Sequence, residues 1–248
     1  MAEGMGIFGE AAEAAAGMGI RISAEELAAL ASDRGMGEGE IAAVRTVFSY
    51  LAEQRRQKTV DTLLRLSRLP PREPKTFERF DFSRIQGRDA GMLRKLPALA
   101  DLYAHRNIAF IGPEGIGRTH LAQACGRACC MKGLRTHCLK ASELRDRLSR
   151  AAGRGSAQRE VAAPVKPSCL IVDEIGRCRF DRACTDMFFD IVDRRCEKDG
   201  PSTMVLTSNM SPGGWKGSFT GEDALPCAPD RLLMTYSFFR TFENRIAA

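Results

Sequence analysis

Two short stretches bring together residue types that handle phosphate. The first, IGPEGIGRTH, covers residues 111–120 and follows a short apolar run at 108–111. Gly112, Gly115 and Gly117 let a backbone turn sharply and come close to an anion. With Pro113 and Ile116 they form a loop whose amides, together with the start of the helix beyond, predict an anion nest. Thr119 would offer its hydroxyl to Mg²⁺, and His120 lies on the same first turn. The spacing matches G-x-x-x-x-G-K-[ST] except at the lysine, which is Arg118 here. Arginine is longer and forked, so the exchange is not conservative at a tight site. It predicts a phosphate contact in a different register, with hydrolysis weakened or lost.

The second stretch is an apolar strand, CLIVDE, that ends in two acids. Asp173 would hold the Mg²⁺ through water, and Glu174 would polarise the attacking water. Downstream, a strand at 203–206 runs into Thr207, Ser208 and Asn209. A polar residue there would sit beside the γ-phosphate, and Asn209 is the candidate. Asp230-Arg231 could set an arginine at a subunit interface, or be a surface ion pair. The acid pair suits activation of water better than of a substrate hydroxyl, which disfavours a small-molecule kinase. No N-K-x-D run is present to read guanine.

These residues need a scaffold of alternating strands and helices. Helical periodicity is expected over 119–131, 143–150 (capped by Ser142) and 185–196. Strands are expected at 136–139, 169–172 and 203–206. That alternation predicts an α/β fold with a largely parallel sheet and helices on both faces. Residues 153–155 and 162–167 bracket an expected flexible loop. Ahead of this core, 71–95 reads as an extended linker carrying Phe77, Phe80 and Phe82. Residues 1–70 read as a small helical extension. Its first twenty residues are expected to be mobile or weakly helical, Ser23 and Glu26 form a capping box, and a basic helix comes next at 40–66.

The chain has 248 residues and a net charge of +6. Residues 1–40 carry −6, leaving +12 on the remainder, a balance that suits a polyanion such as DNA or ordinary solvation. Arg55, Arg56, Lys58, Arg65 and Arg68, and separately Arg145, Arg147, Arg150 and Arg154, could follow DNA phosphates without reading sequence. No apolar stretch is long enough to span a membrane and no secretory leader is visible. The nine cysteines include no C-x-x-C pair and the three histidines have no metal-ligand spacing. A reducing cytoplasm without disulfides is expected.

Taken in order, Phe80-Asp81-Phe82, GPEGIGRTHLA, LIVDEIG, LTSNMSPGGW and Asp230-Arg231 resemble the IstB-type transposition ATPases. These are relatives of the DnaC-type helicase loaders within the AAA+ superfamily. The resemblance covers roughly residues 45–245. It implies a three-layer P-loop core of the AAA+ ASCE type over 71–248, with a five-stranded parallel sheet; so few residues follow Arg231 that no C-terminal lid is expected. It also implies ATP and Mg²⁺ as cofactors, oligomers formed with ATP on DNA, and delivery of a transposase or a replicative helicase. Residue by residue, Thr119 and Asp173 match the Mg²⁺ ligands, Glu174 the catalytic acid, Asn209 the polar sensor and Arg231 the arginine finger. Gly112–Gly117 match the phosphate loop. Arg118 matches the family lysine in position but not in type, and Glu114 stands where a second proline is usual. The alternatives are a helicase loader, or a nucleotide-binding scaffold that has lost hydrolysis.

Overall fold

The computed structural model describes residues 2–84, 90–220 and 236–240. The chain divides into two compact units, residues 1–62 and 63–248.

The first unit holds α1 (Ala2–Gly17), α2 (Ala24–Arg34) and most of α3 (Glu38–Leu66). The opening residues are therefore helical, one of the two expected states. Alanine-rich sequence costs little to fold as helix, and Ala11 and Ala15 are buried. The capping box forms as the sequence predicts. Ser23 N donates to Glu26 Oε2 at 2.7 Å, and Glu26 N donates to Ser23 Oγ at 3.1 Å. Gly35 stops α2 in the left-handed region at φ 63°.

The second unit starts at Leu63, eight residues before the expected start at 71, and Ser67 is already part of it. Ser67 O accepts from Cys138 N at 2.8 Å, so the segment after α3 covers the edge of the sheet. The expected linker is more ordered than its prolines suggest. Phe77 is buried, a 3₁₀ turn spans Phe82–Arg84, and α4 (Ala90–Leu93) and α5 (Ala100–Tyr103) precede the first strand.

From there strands and helices alternate: β1 (Asn107–Ile111), α6 (Arg118–Met131), β2 (Thr136–Lys140), α7 (Ala141–Gly153), α8 (Ala157–Val165), β3 (Cys169–Asp173), α9 (Arg182–Cys196) and β4 (Thr203–Ser208). A last strand, β5 (Tyr236–Arg240), is described by its backbone alone. The strands are parallel in the order β2-β3-β4-β1-β5. Strand residues alternate between two cores. Ala109, Ile111, Leu170, Val172, Met204 and Leu206 face α7, α8 and α9. Ile108, Phe110, Cys169, Ile171 and Val205 face α6 and the helices before β1. Both faces are covered, which explains why the strands read as continuous apolar runs.

Two local expectations fail. Helix α7 begins at Ala141 with Lys140 as its N-cap, and Ser142 makes no cap. The expected flexible loop contains α8, whose Val161 and Pro164 are buried. Buried Arg195 on α9 secures the end of α8 and the segment between it and β3. It donates to the carbonyls of Pro164, Val165, Pro167, Ser168 and Thr203. These carbonyl bonds from Nη1 and Nη2 offset the desolvation of an interior guanidinium. Cys125, Cys129, Cys130 and Cys169 are buried as small core residues, while Cys227 lies outside the described residues. Among those residues no helix is long and apolar enough to cross a membrane.

Candidate functional site

Strand β1 delivers the chain to the C-terminal edge of the sheet, where Gly112 N donates to Ser208 O at 3.1 Å. The loop then turns into α6. Gly117 is the N-cap of α6 at φ 93°, and no side chain caps the helix. The first amides of α6 and its positive end are therefore left for an outside acceptor. Gly117 also has to be glycine for space, since a Cβ there would lie 2.5 Å from the Phe80 ring. Phe80 in turn meets the His120 ring edge-on with centroids 5.2 Å apart, and His120 Nε2 bonds Thr76 O at 2.8 Å. The aromatic segment before the core thus backs the loop, and His120 serves that packing. Ile116 is buried, whereas Pro113 and Gly115 are exposed at the loop's rim.

Strand order does the rest. β4 lies between β1 and β3, with Ile111 opposite Ser208 and Val172 opposite Leu206. The acids at the tip of β3 are therefore one strand away from the loop. Thr119 Oγ1 donates to Asp173 Oδ1 at 3.1 Å. Thr207, at the tip of β4, donates to the same carboxylate oxygen and accepts from Glu174 N at 2.8 Å. One buried hydroxyl thus ties the two acids together. Asn209, the expected neighbour of the γ-phosphate, is exposed just past the end of β4. The strand runs two residues further than its apolar portion, so Thr207 falls opposite the acids. The polar tip is visible in the sequence, but the register that selects Thr207 is not.

Glu174 has φ 64°, a left-handed conformation for a residue with a side chain. Such a conformation costs about 1–3 kcal/mol and persists only where neighbours enforce it. Here Ile175 N donates to Thr207 O at 2.9 Å and Arg177 N to Glu174 O at 3.2 Å. Ser208 Oγ donates to Ile175 O at 2.8 Å and accepts from Trp215 Nε1 at 2.9 Å. Ser218 Oγ secures the Gly176 carbonyl at 3.1 Å.

Cations surround the acids. Arg177 Nη1 bonds Glu174 Oε1 at 2.8 Å, and its Nη2 pairs with Glu114 of the loop. Lys140 Nζ, at the tip of β2, is 3.6 Å from Glu174 Oε2. Partial burial lowers the Arg118 pKa, while the charges of Asp173 and Glu174 act to raise it. Neither Lys140 nor Arg177 stands out in the sequence as a site residue. Arg231 and Asp230 lie outside the described residues.

The donor set fits a magnesium ion held jointly with phosphate. One hydroxyl and one carboxylate converge, and among the described residues no cluster of three or more His, Cys, Asp or Glu could hold a metal unaided. Mg²⁺ commonly takes one or two protein oxygens and completes its shell with phosphate and water.

Comparison with known proteins agrees with this geometry. The profile of the family described as "IstB-like ATP binding protein" matches residues 18–240. The putative ATP-binding protein of insertion sequence IS5376 from Geobacillus stearothermophilus is 36% identical over 181 residues, 73% of this chain and 70% of that protein. The corresponding protein of insertion sequence IS21 from Pseudomonas aeruginosa is 34% identical over 180 residues, 72% of this chain and 66% of that one. Among solved structures, AMPPCP-bound DnaA from Aquifex aeolicus superposes with TM-score 0.56 at 19% identity, over 70% of this chain and 51% of that chain. This chain therefore spans about half of that DnaA. The structure of DnaI gives TM-score 0.51 at 16% identity, over 68% of this chain and 90% of that one. At such identities the likeness is one of fold, that of a P-loop AAA+ core.

Proposed function

The chain belongs to the IstB-like ATP-binding protein family, and from that premise we propose that it binds ATP and Mg²⁺ at residues 112–119 and Asp173. It acts on DNA as the helper in a transposition reaction, assembling with ATP and delivering a partner protein. The observation that carries the nucleotide reading is the contact of Thr119 Oγ1 with Asp173 Oδ1 beside uncapped helix amides. The loop amides and Arg118 bind the phosphates. Thr119 and Asp173 hold the ion, which supplies charge neutralisation at the phosphate oxygens when bound. Glu174 accepts a proton from water, Thr207 keeps both acids in place, and Arg231 completes the site of a neighbouring copy. The relatives named for insertion sequences support the transposition reading, and the basic charge of residues 41–248 supports a DNA partner.

A second reading, a nucleotide-binding scaffold without turnover, is favoured by Arg118 in place of lysine. Calorimetric titration with ATP and Mg²⁺, followed by steady-state hydrolysis with and without duplex DNA, tests both. Binding with turnover supports the helper. Binding without turnover, restored by Arg118→Lys, supports the scaffold. Absence of any adenine-nucleotide binding ends both.

A further inference from the structure

Arg177 joins two carboxylates with different tasks. Its Nη1 holds Glu174, the candidate water activator, at 2.8 Å, and its Nη2 pairs with Glu114 on the phosphate loop. The backbone that presents it is fixed, because the turn from Glu174 to Arg177 is pinned by Thr207, Ser208 and Ser218. The half-exposed Arg177 side chain can redistribute on this fixed backbone, and its planar fork can serve both acids at once. Glu114 is the unusual partner, an acid placed where a polyphosphate would arrive.

We propose that Arg177 is a positioning residue that couples occupancy of the phosphate loop to the availability of Glu174, an inference that rests on the nucleotide reading above. In the free site Arg177 is shared, and Glu174 is held between it and Lys140, which lies 3.6 Å away. When a triphosphate settles on the loop amides, negative charge accumulates beside Glu114. Arg177 is drawn towards Glu114 and the phosphates, and one carboxylate oxygen of Glu174 is released to water. Arg177 thus offsets the repulsion that Glu114 would otherwise impose and frees the acid only when the loop is filled.

The test is a double-mutant cycle on the full chain, read as ATP affinity and turnover separately. The Arg177 and Glu114 side chains are 47% and 67% exposed, so both variants should fold, which melting curves check. Arg177→Gln is expected to weaken ATP binding roughly two- to fivefold, the size of one solvent-screened charge pair, and to change affinity more than kcat. Glu114→Gln is expected to do the opposite, lowering kcat with affinity kept, because Arg177 then stays on Glu174. The double variant should return towards the parent in both, and Arg177→Lys should recover affinity. Effects that simply multiply in the double variant overturn the coupling while leaving the nucleotide reading intact. If the parent binds ATP but does not hydrolyse it, the affinity arm alone decides. If the parent binds no ATP, the nucleotide reading fails, and the coupling with it.

Discussion

Thr119 Oγ1 lies 3.1 Å from Asp173 Oδ1 although the two residues are 54 positions apart. A hydroxyl at the start of a helix and a carboxylate at the end of a strand face one another because β4 separates β3 from β1 by one strand width. Replacing Asp173 by Asn keeps the shape and removes the charge. The expected result is a roughly tenfold or greater loss of ATP affinity in Mg²⁺, equivalent to about 1.4 kcal/mol, with little change in EDTA. Calorimetry under the two conditions checks it. Equal losses with and without Mg²⁺ would remove Asp173 from the metal site.

Thr207 is buried and serves two acids through one oxygen. Thr207→Val keeps the volume but leaves the Glu174 amide without its acceptor. A buried group left unsatisfied costs about 1–3 kcal/mol, so the denaturation midpoint should fall and turnover with it. Thr207→Ser retains the hydroxyl and should restore both. If valine behaves as serine does, the clamp is unimportant.

Gly117→Ala meets two obstacles, the Phe80 ring at 2.5 Å and a backbone held at φ 93°. The left-handed conformation alone costs an L-residue about 1–2 kcal/mol. Nucleotide binding should be lost or strongly weakened. Adding Phe80→Ala relieves the clash but not the backbone, so rescue should be partial. Full rescue would mean that the ring was the whole constraint.

His137 on β2 is partly buried, and burial lowers its pKa below the usual 6.5, helped by Arg147 and Arg68 and opposed by Glu143. Below pH 6.5 the unfolded chain takes up a proton that the folded chain resists. The His137 contribution is therefore complete above that value and declines as pH falls towards the lower folded value. Urea midpoints of the parent chain should drop more between about pH 7.5 and 5.5 than those of His137→Gln. Equal drops would show that the histidine is not responsible.

Much of this architecture is legible without coordinates. The phosphate loop is recognisable because glycine spacing and a following Thr119 are local features, and the acidic strand because apolar residues run unbroken to Asp173. The elements that escape depend on contacts remote in sequence. Helix α8 has a proline near its end and is secured by carbonyl bonds from Arg195, which is 31 positions beyond Pro164. Ser67 joins the core through Cys138, which no periodicity in residues 60–70 could indicate. Thr207 meets the acids because of inter-strand register. Lys140 and Arg177 resemble solvated charges until the strand tips are brought together.

The left-handed backbone at Glu174 carries an evolutionary corollary. Glycine would occupy that turn with less strain, so a chain selected only for robustness should drift towards Glu174→Gly and melt at a higher temperature. Retaining glutamate there means accepting a less durable molecule in exchange for a carboxylate at that spot. A copy of this gene that had ceased to transact its chemistry would be free to make the swap, and position 174 is where such decay should first become visible.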